Sequence, residues 1–333
     1  MTKKILEILA VSKHYNKPGF FSKKPAYGLP AIENINLTLN EGEIIGLIGE
    51  SGSGKTTIGK AIIKLLTVDS GSIMLFDQDI TSLPEGKFRP LRTHIQMIFQ
   101  DLDAALNPNM KIINILSEIL KRYYDKETSQ KSMQDRLTNL LSDVQLEPDI
   151  LERYPSELSG GQKRRIAIAS ALAVSPKIII ADEPTTGLDN YTQSLIMQLI
   201  LDLQKSNNLS VILISHDLVL IKKMCQRIAV IYLGNIIEIG PAETIYSSPS
   251  HPYSKLLWHS HLTHTAEINL EKRQHDVRSG LYDHEQPVYG CRFAPRCKRY
   301  IEMGKPDICT EKKSKPDLRS VSAKHKVACH FPF

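Results

Sequence analysis

Residues 49–56, Gly-Glu-Ser-Gly-Ser-Gly-Lys-Thr, fit the spacing G-x-x-x-x-G-K-[ST], and the chemistry of that spacing is phosphate binding. Gly49, Gly52 and Gly54 let backbone N–H groups turn inward around an anion, and Glu50, Ser51 and Ser53 between them complete the candidate nucleotide-binding loop. Lys55 reaches the β- and γ-phosphates, the Thr56 hydroxyl is placed to ligate Mg²⁺, and Thr57 follows directly. The flanking residues supply the context this loop needs. Residues 43–48 read as a buried strand, and Ile58, Ala61, Ile62 and Leu65 recur at helical spacing.

A second acidic position lies downstream. Residues 177–181, Lys-Ile-Ile-Ile-Ala, form another strand-like run ending in Asp182-Glu183-Pro184. Ligands gather at the carboxyl ends of strands in open α/β sheets. An aspartate there holds Mg²⁺ directly or through water, and a glutamate after it polarises an attacking water as general base. Between these two sites, Leu158-Ser159-Gly160-Gly161-Gln162 opens a second helix with Ser159 as its N-cap, which creates another anion-binding end. One γ-phosphate uses both loops only if they come from different subunits.

These residues stand in the order found in ABC ATPases, and the resemblance spans about residues 3–245. Gly49–Thr56 resembles Walker A, and Gln100 in Ile-Phe-Gln-Asp resembles the Q-loop. Leu158–Gln162 resembles the signature and residues 178–183 Walker B. Asp189 in Gly-Leu-Asp resembles the D-loop and His216 in Ile-Ser-His-Asp the switch histidine. The resemblance implies an α/β P-loop core with a RecA-like sheet and an antiparallel β subdomain, carrying a helical subdomain inserted at about 101–160. It also implies two cassettes closing head to tail over two ATPs. Thr56, Gln100 and Asp182 would serve Mg²⁺. Glu183 would be the base, with Gln100 positioning water and His216 contacting the γ-phosphate. Ser159, Gly160, Gly161, Gln162 and Asp189 would act toward the partner's ATP. Tyr15 matches the aromatic that stacks on adenine. A lone tyrosine at a strand end is otherwise a core residue, and the loop at 16–29 has its own Phe20, Phe21 and Tyr27. Leu116, Ile119 and Leu120, and Leu137, Leu140, Leu141 and Val144, suit amphipathic helices in the inserted part. Leu102 departs from the proline usual after Gln-Asp in importers.

The C-terminal third narrows the resemblance. Gly240-Pro241-Ala242-Glu243 and His251-Pro252-Tyr253 resemble the segment of oligopeptide, dipeptide and nickel importer ATPases. From the residues alone, this is a proline-rich turn before a short helix. Cys291, Cys297, Cys309 and Cys329 follow within 43 residues, a piece small enough to need a staple. Disulfides are disfavoured in a reducing cytosol. Zinc sites usually use paired short spacings, whereas a [4Fe–4S] cluster takes four thiolates at varied spacing. The resemblance to importer ATPases that carry such a cluster puts iron–sulfur first and structural Zn²⁺ as the alternative, giving a small metal-stapled C-terminal domain.

Composition sets the outer limits. The 333 residues are 41% hydrophobic and 23% charged, which excludes a disordered or fibrous chain. No apolar run reaches the ~18 residues of a membrane span. The basic N-terminus reads as a first strand of a cytosolic protein and not as a signal peptide. The net charge of +6 is uneven: residues 259–333 hold 14 basic and 9 acidic side chains, and residues 1–258 are nearly balanced. The expected organisation is a nucleotide-binding domain at 1–258 and an extension at 259–333, with the cysteines at 291–329. An action on nucleic acid or ribosomes is the competing class. The single ATPase core and the lack of long coiled coils weigh against it, and Lys163-Arg164-Arg165 reads as a helix surface. Cys225, flanked by apolar residues, reads as a buried core thiol. His259, His261 and His264 read as solvated linker histidines. The expected partners are a second ATPase subunit (a paralogue), two membrane permeases and an extracytoplasmic substrate-binding protein, with no nucleic acid. The expected location is the cytoplasmic face of the inner membrane.

Overall fold

The computed structural model describes residues 3–15, 29–123, 130–263, 289–311 and 314–333. The loop with Phe20, Phe21 and Tyr27, together with His264 and the side chain of His261, lies outside the described residues. An antiparallel sheet of four strands is built from β1 (Lys4–Lys13), β2 (Ile32–Asn40), β4 (Ser70–Leu75) and β5 (Gln78–Asp79), in the order β2-β1-β4-β5. It packs beside the main sheet, which contains β3 (Ile44–Ile48), β6 (Ile95–Ile98), β7 (Ile178–Asp182), β8 (Ser210–Ile214) and β9 (Arg227–Tyr232) as parallel neighbours.

These parallel strands are almost wholly buried, as expected where both faces of a sheet are covered. Their side chains alternate between two cores. From β3, Ile45 and Leu47 join the cluster that contains Ile58 and Ala61 of α1 (Lys55–Ile62). Ile44 and Ile48 point into the other cluster with Leu116, Leu141 and Ile166. The sheet continues beyond β9 through β10 (Asn235–Pro241), β12 (His325–Val327) and β11 (Arg319–Ser322), all antiparallel, to give the order β11-β12-β10-β9-β3-β8-β7-β6. Strands from the last fifteen residues of the chain therefore belong to the same sheet as the phosphate loop.

After α2 (Glu85–Leu91) and β6 comes the inserted helical part: α3 (Leu102–Ala105), α4 (Ile112–Tyr123) and α5 (Gln130–Asp143), leading into α6 (Gly160–Leu172). Leu116, Leu120, Leu137, Leu141 and Val144 are buried, as their spacing requires. Helices α7 (Asn190–Ser206), α8 (Leu218–Met224), α9 (Ala242–Ser247), α10 (Pro252–Thr263) and α11 (Lys298–Glu302) complete the chain. Two expectations are corrected. Helix α1 stops at Ile62, because Lys64 takes a positive φ of 55°, and Leu65 is left exposed. The second correction concerns Arg164 and belongs to the site. No helix among the described residues is long and apolar enough to cross a membrane.

Candidate functional site

Strand β3 ends at Ile48, and the chain turns through 49–54 into α1. Two glycines make this turn possible. A Cβ on Gly49 would lie 2.1 Å from the Ile231 carbonyl oxygen, and one on Gly54 would lie 2.4 Å from that of Ala31. Both also have positive φ, 152° and 106°, which side chains disfavour. Inside the loop, Lys55 Nζ donates to the carbonyl oxygens of Gly49 and Glu50 at 2.8 Å and to Ser53 Oγ at 3.3 Å. Burial lowers the pKa of this amine, an effect opposed by the charges of Glu183, Asp182 and Glu50.

The ends of β7 and β8 bring the acidic groups to this loop. Thr56 Oγ1 donates to Asp182 Oδ1 at 3.2 Å. Asp182 is buried, and burial raises its pKa against the effect of the Thr56 hydrogen bond. A buried carboxylate beside a hydroxyl suits Mg²⁺, which takes one or two protein oxygens and completes its shell with water and phosphate. Glu183 follows in a left-handed conformation with φ 47°, a strained setting for a non-glycine residue. Its Oε2 accepts from Thr186 Oγ1 at 2.7 Å and from Gln100 Nε2 at 3.2 Å, and its Oε1 lies 3.2 Å from His216 Nδ1. Burial pushes the Glu183 carboxyl upward. The Thr186 and His216 hydrogen bonds and the charges of His216 and Lys55 outweigh it and hold the group below the usual glutamate range.

Gln100, Asp182, Glu183, His216 and Thr56 therefore form one connected cluster around the loop lysine. Tyr15 is exposed, and its hydroxyl lies 3.1 Å from Thr57 Oγ1, which puts an aromatic ring at the entrance to α1. The other glycine-rich end is separate in its bonding. Ser159 caps α6 by a reciprocal pair with Gln162: Gln162 N donates to Ser159 Oγ at 3.3 Å and Ser159 N to Gln162 Oε1 at 2.9 Å. Ser159 and Gly160 are exposed to solvent. Asp189 caps α7, accepting from Tyr191 N and Thr192 N at 3.0 Å. The two capped ends meet, since a Cβ on Gly161 would touch Thr192 Cγ2 at 2.9 Å.

Arg164 corrects the reading of Lys163-Arg164-Arg165 as a helix surface. It is buried, with Nη1 donating to the Phe99 carbonyl at 3.2 Å and Nη2 to the Thr186 carbonyl at 3.3 Å. Arg165 reaches the Val144 carbonyl at 2.7 Å. Arg164 thus ties the residue before Gln100 to the residue that donates to Glu183. Sequence reasoning also missed Thr186, although a hydroxyl three residues after a candidate catalytic carboxylate at a turn is a visible signal. Cys225 is buried as expected, and burial pushes its thiol up.

The four C-terminal cysteines come together. Cys291, Cys297, Cys309 and Cys329 are free thiols lining one cavity of about 20 Å³, with His251 and Arg299 on its wall. Burial raises all four thiol pKa values, that of Cys291 to about 12 and that of Cys329 to about 11. His251 Nε2 and Arg299 Nε are buried donors with no hydrogen-bond partner. Four thiols and two orphaned donors around one space suit an anionic metal–thiolate centre, whose sulfurs accept hydrogen bonds. The cavity as it stands holds one small occupant, and a four-iron cluster is larger. Among the described residues, no group of three His, Cys, Asp or Glu side chains is set close enough to hold an ion. The structure therefore shows a thiol cluster and does not show the metal staple expected from the sequence.

Comparison with known proteins adds independent findings. Residues 32–186 match the family described as ABC transporter, and residues 237–303 match the oligopeptide/dipeptide transporter C-terminal region. The chain is 36% identical to the oligopeptide transport ATP-binding protein OppF of Salmonella typhimurium, covering 98% of this chain and 96% of that protein. It is also 36% identical to the oligopeptide transport ATP-binding protein AppF of Bacillus subtilis, with 98% and 97% covered. Among solved structures it resembles the dimeric ATP-binding cassette MJ0796 in a post-hydrolysis state bound to ADP and phosphate. That match has a TM-score of 0.64 and 28% identity and covers 72% of this chain and 99% of that one.

Proposed function

Because this chain belongs to the ABC transporter family, among the ATP-binding subunits of oligopeptide and dipeptide importers, we propose that it powers peptide uptake by binding and hydrolysing ATP in a closing pair of cassettes. The observation that carries this reading is the single cluster of Lys55, Thr56, Gln100, Asp182, Glu183 and His216 at the phosphate loop. Lys55 and the loop N–H groups hold the triphosphate, and Tyr15 lies against the adenine. Thr56 and Asp182, with Gln100 nearby, would hold Mg²⁺, which when bound would supply charge neutralisation at the phosphates. Glu183 takes the proton of the attacking water, Gln100 orients that water, and His216 contacts the γ-phosphate.

Ser159, Gly160, Gly161, Gln162 and Asp189 face the ATP of a second subunit. This is supported by the exposure of Ser159 and Gly160, and by the solution of the similar MJ0796 cassette as a dimer. That second subunit is a paralogue of this chain. Residues 1–258 form the ATPase, with the helical subdomain at about 101–160, and residues 259–333 the extension. The subunit sits peripherally on the cytoplasmic face of the inner membrane, bound to two permeases that receive solute from an extracytoplasmic binding protein. A groove of about 400 Å³ just beyond Gln100, lined by Phe99, Leu106, Met110, Ile115, Ile119 and Ala167, suits a short permease helix.

The four thiols would hold a [4Fe–4S] cluster, or Zn²⁺ in the alternative, as the staple of the extension; the converging sulfurs and the two orphaned donors support this reading, and the space between the sulfurs would have to widen to take four irons. Anaerobic purification separates these two: a brown protein carrying iron and sulfide supports the cluster, and a colourless protein with one tightly bound zinc rejects it. The transport reading is tested by co-expressing the chain with its candidate permeases and paralogue and measuring ATP-driven uptake of a labelled peptide in proteoliposomes. Two multi-span proteins should co-purify, and uptake should require ATP. Co-purification of RNA or DNA in place of the permeases would overturn it.

A further inference from the structure

The first variable residue of the phosphate loop is an acid. Glu50 follows Gly49 directly, so its carboxylate sits on a loop built to take a triphosphate. Two residues from the C-terminal third of the chain reach it, Tyr253 at the start of α10 and Arg296 in the extension. Glu50 N donates to the Tyr253 hydroxyl at 3.0 Å. The Glu50 carboxylate is gripped at both oxygens by Arg296, with Nη1 to Oε2 and Nη2 to Oε1 each at 2.9 Å. Paired bonds of this kind fix direction as well as charge.

Arg296 is itself firmly placed. It ends the short turn Ala294–Arg296, one residue before Cys297. Its Nη1 also reaches the Tyr232 hydroxyl at 3.4 Å, and its guanidinium carbon lies 5.8 Å and 5.9 Å from the Tyr232 and Phe293 ring centres. Phe293 packs edge-on against Tyr232 and Tyr253, at 5.3 and 5.5 Å between centroids. The cation therefore rests on an aromatic platform shared by β9, α10 and the cysteine turn, aimed at one acid of the loop.

A carboxylate beside a bound triphosphate repels it unless a cation compensates. We propose that Arg296 is a positioning residue of the ATP site: it cancels and holds away the charge of Glu50, so that the C-terminal extension sets the affinity of the phosphate loop for nucleotide. This rests on the ATP-binding reading of the loop. Lysine is a poor substitute, because its point charge does not reproduce the two-pronged grip.

The test is a titration of the full-length chain with a fluorescent ATP analogue and Mg²⁺. R296M weakens binding about two- to fivefold, the range of a single well-placed ion pair. The deficit is larger at low salt than at high salt, because the uncompensated carboxylate is then unscreened. In steady-state hydrolysis the KM for ATP rises more than kcat falls. Adding E50Q to R296M returns affinity toward that of the native chain, and E50Q alone binds ATP at least as tightly as the native chain. E50Q alone keeps the comparison available should R296M fail to fold. R296M binding within twofold of the native chain, a double variant as weak as R296M, or weaker binding by E50Q would each overturn the proposal. If the native chain itself binds no nucleotide, the ATP-site reading fails instead.

Discussion

His216 Nδ1 lies 3.2 Å from Glu183 Oε1, so the second residue after β8 touches the carboxylate that follows β7. The other oxygen of Glu183 is taken by Thr186 and Gln100, and the carboxylate is fixed from three directions. The group is thus held at the end of a central strand, near the loop lysine, where the proposed function assigns it the role of base.

Glu183→Gln keeps the shape of the side chain and removes the base. Phosphate release should fall by about 100-fold or more, the usual contribution of general base catalysis. Binding of a fluorescent ATP analogue should persist. Near-normal phosphate release in this variant would remove Glu183 from that role.

Arg164 ties the residue before Gln100 to Thr186, the hydroxyl donor of Glu183. Arg164→Met leaves the Phe99 and Thr186 carbonyls without their donor and should destabilise the fold by about 2–3 kcal/mol. Arg164→Lys should recover little, since one ammonium does not span both carbonyls. Thermal unfolding and kcat measured together check this. An unaltered melting temperature in Arg164→Met would show that the two bonds contribute nothing.

Glu238 is fully buried and lies 2.7 Å from His325 Nε2, while the N–H groups of Ser250 and His251 donate to its two oxygens at 2.7 and 3.0 Å. His325→Ala removes one partner and leaves the carboxylate in the interior. The expected loss is about 2–4 kcal/mol, with faster proteolysis of residues after 315. Retention of native stability would mean that this contact does not hold β12 to β10.

The thiols should separate by reactivity. Burial raises Cys225 far above the usual thiol range, so little thiolate forms near neutral pH. Under native conditions, mass spectrometry after alkylation should find Cys225 unmodified. After denaturation it should react fully. Rapid native labelling would show that the packing of Cys225 against Gly46 and Ile221 opens.

Much of the site was legible in the sequence because its parts are local. A strand, a glycine turn and a helix start lie within twenty residues of Gly49, and a run of apolar residues ends at Asp182 with little room for another reading. The ties that complete the site are long-range: Glu50 meets Tyr253 across 203 positions and Arg296 across 246. No local spacing encodes such pairs. Arg164 was misread for a different reason. Buried arginines are rare, and only the structure reveals the two carbonyls that satisfy this one. Leu65 fitted the helical period, but the chain turns at Lys64 before reaching it.

Strand β12 reaches its place in the sheet late in synthesis. It pairs Val327 with Glu238 and Lys326 with Ile239, so β10 has no neighbour on that side until residues 325–327 have been synthesised. Chains fold largely from the N-terminus as they emerge from the ribosome. A nascent chain that has already completed its nucleotide loop therefore carries an open edge on the same sheet, lined by Ile237 and Ile239. Open apolar edges recruit other strands. During translation, this one invites pairing between neighbouring nascent chains until the final segment arrives, and stop codons placed before residue 325 should yield aggregates and not a shortened ATPase.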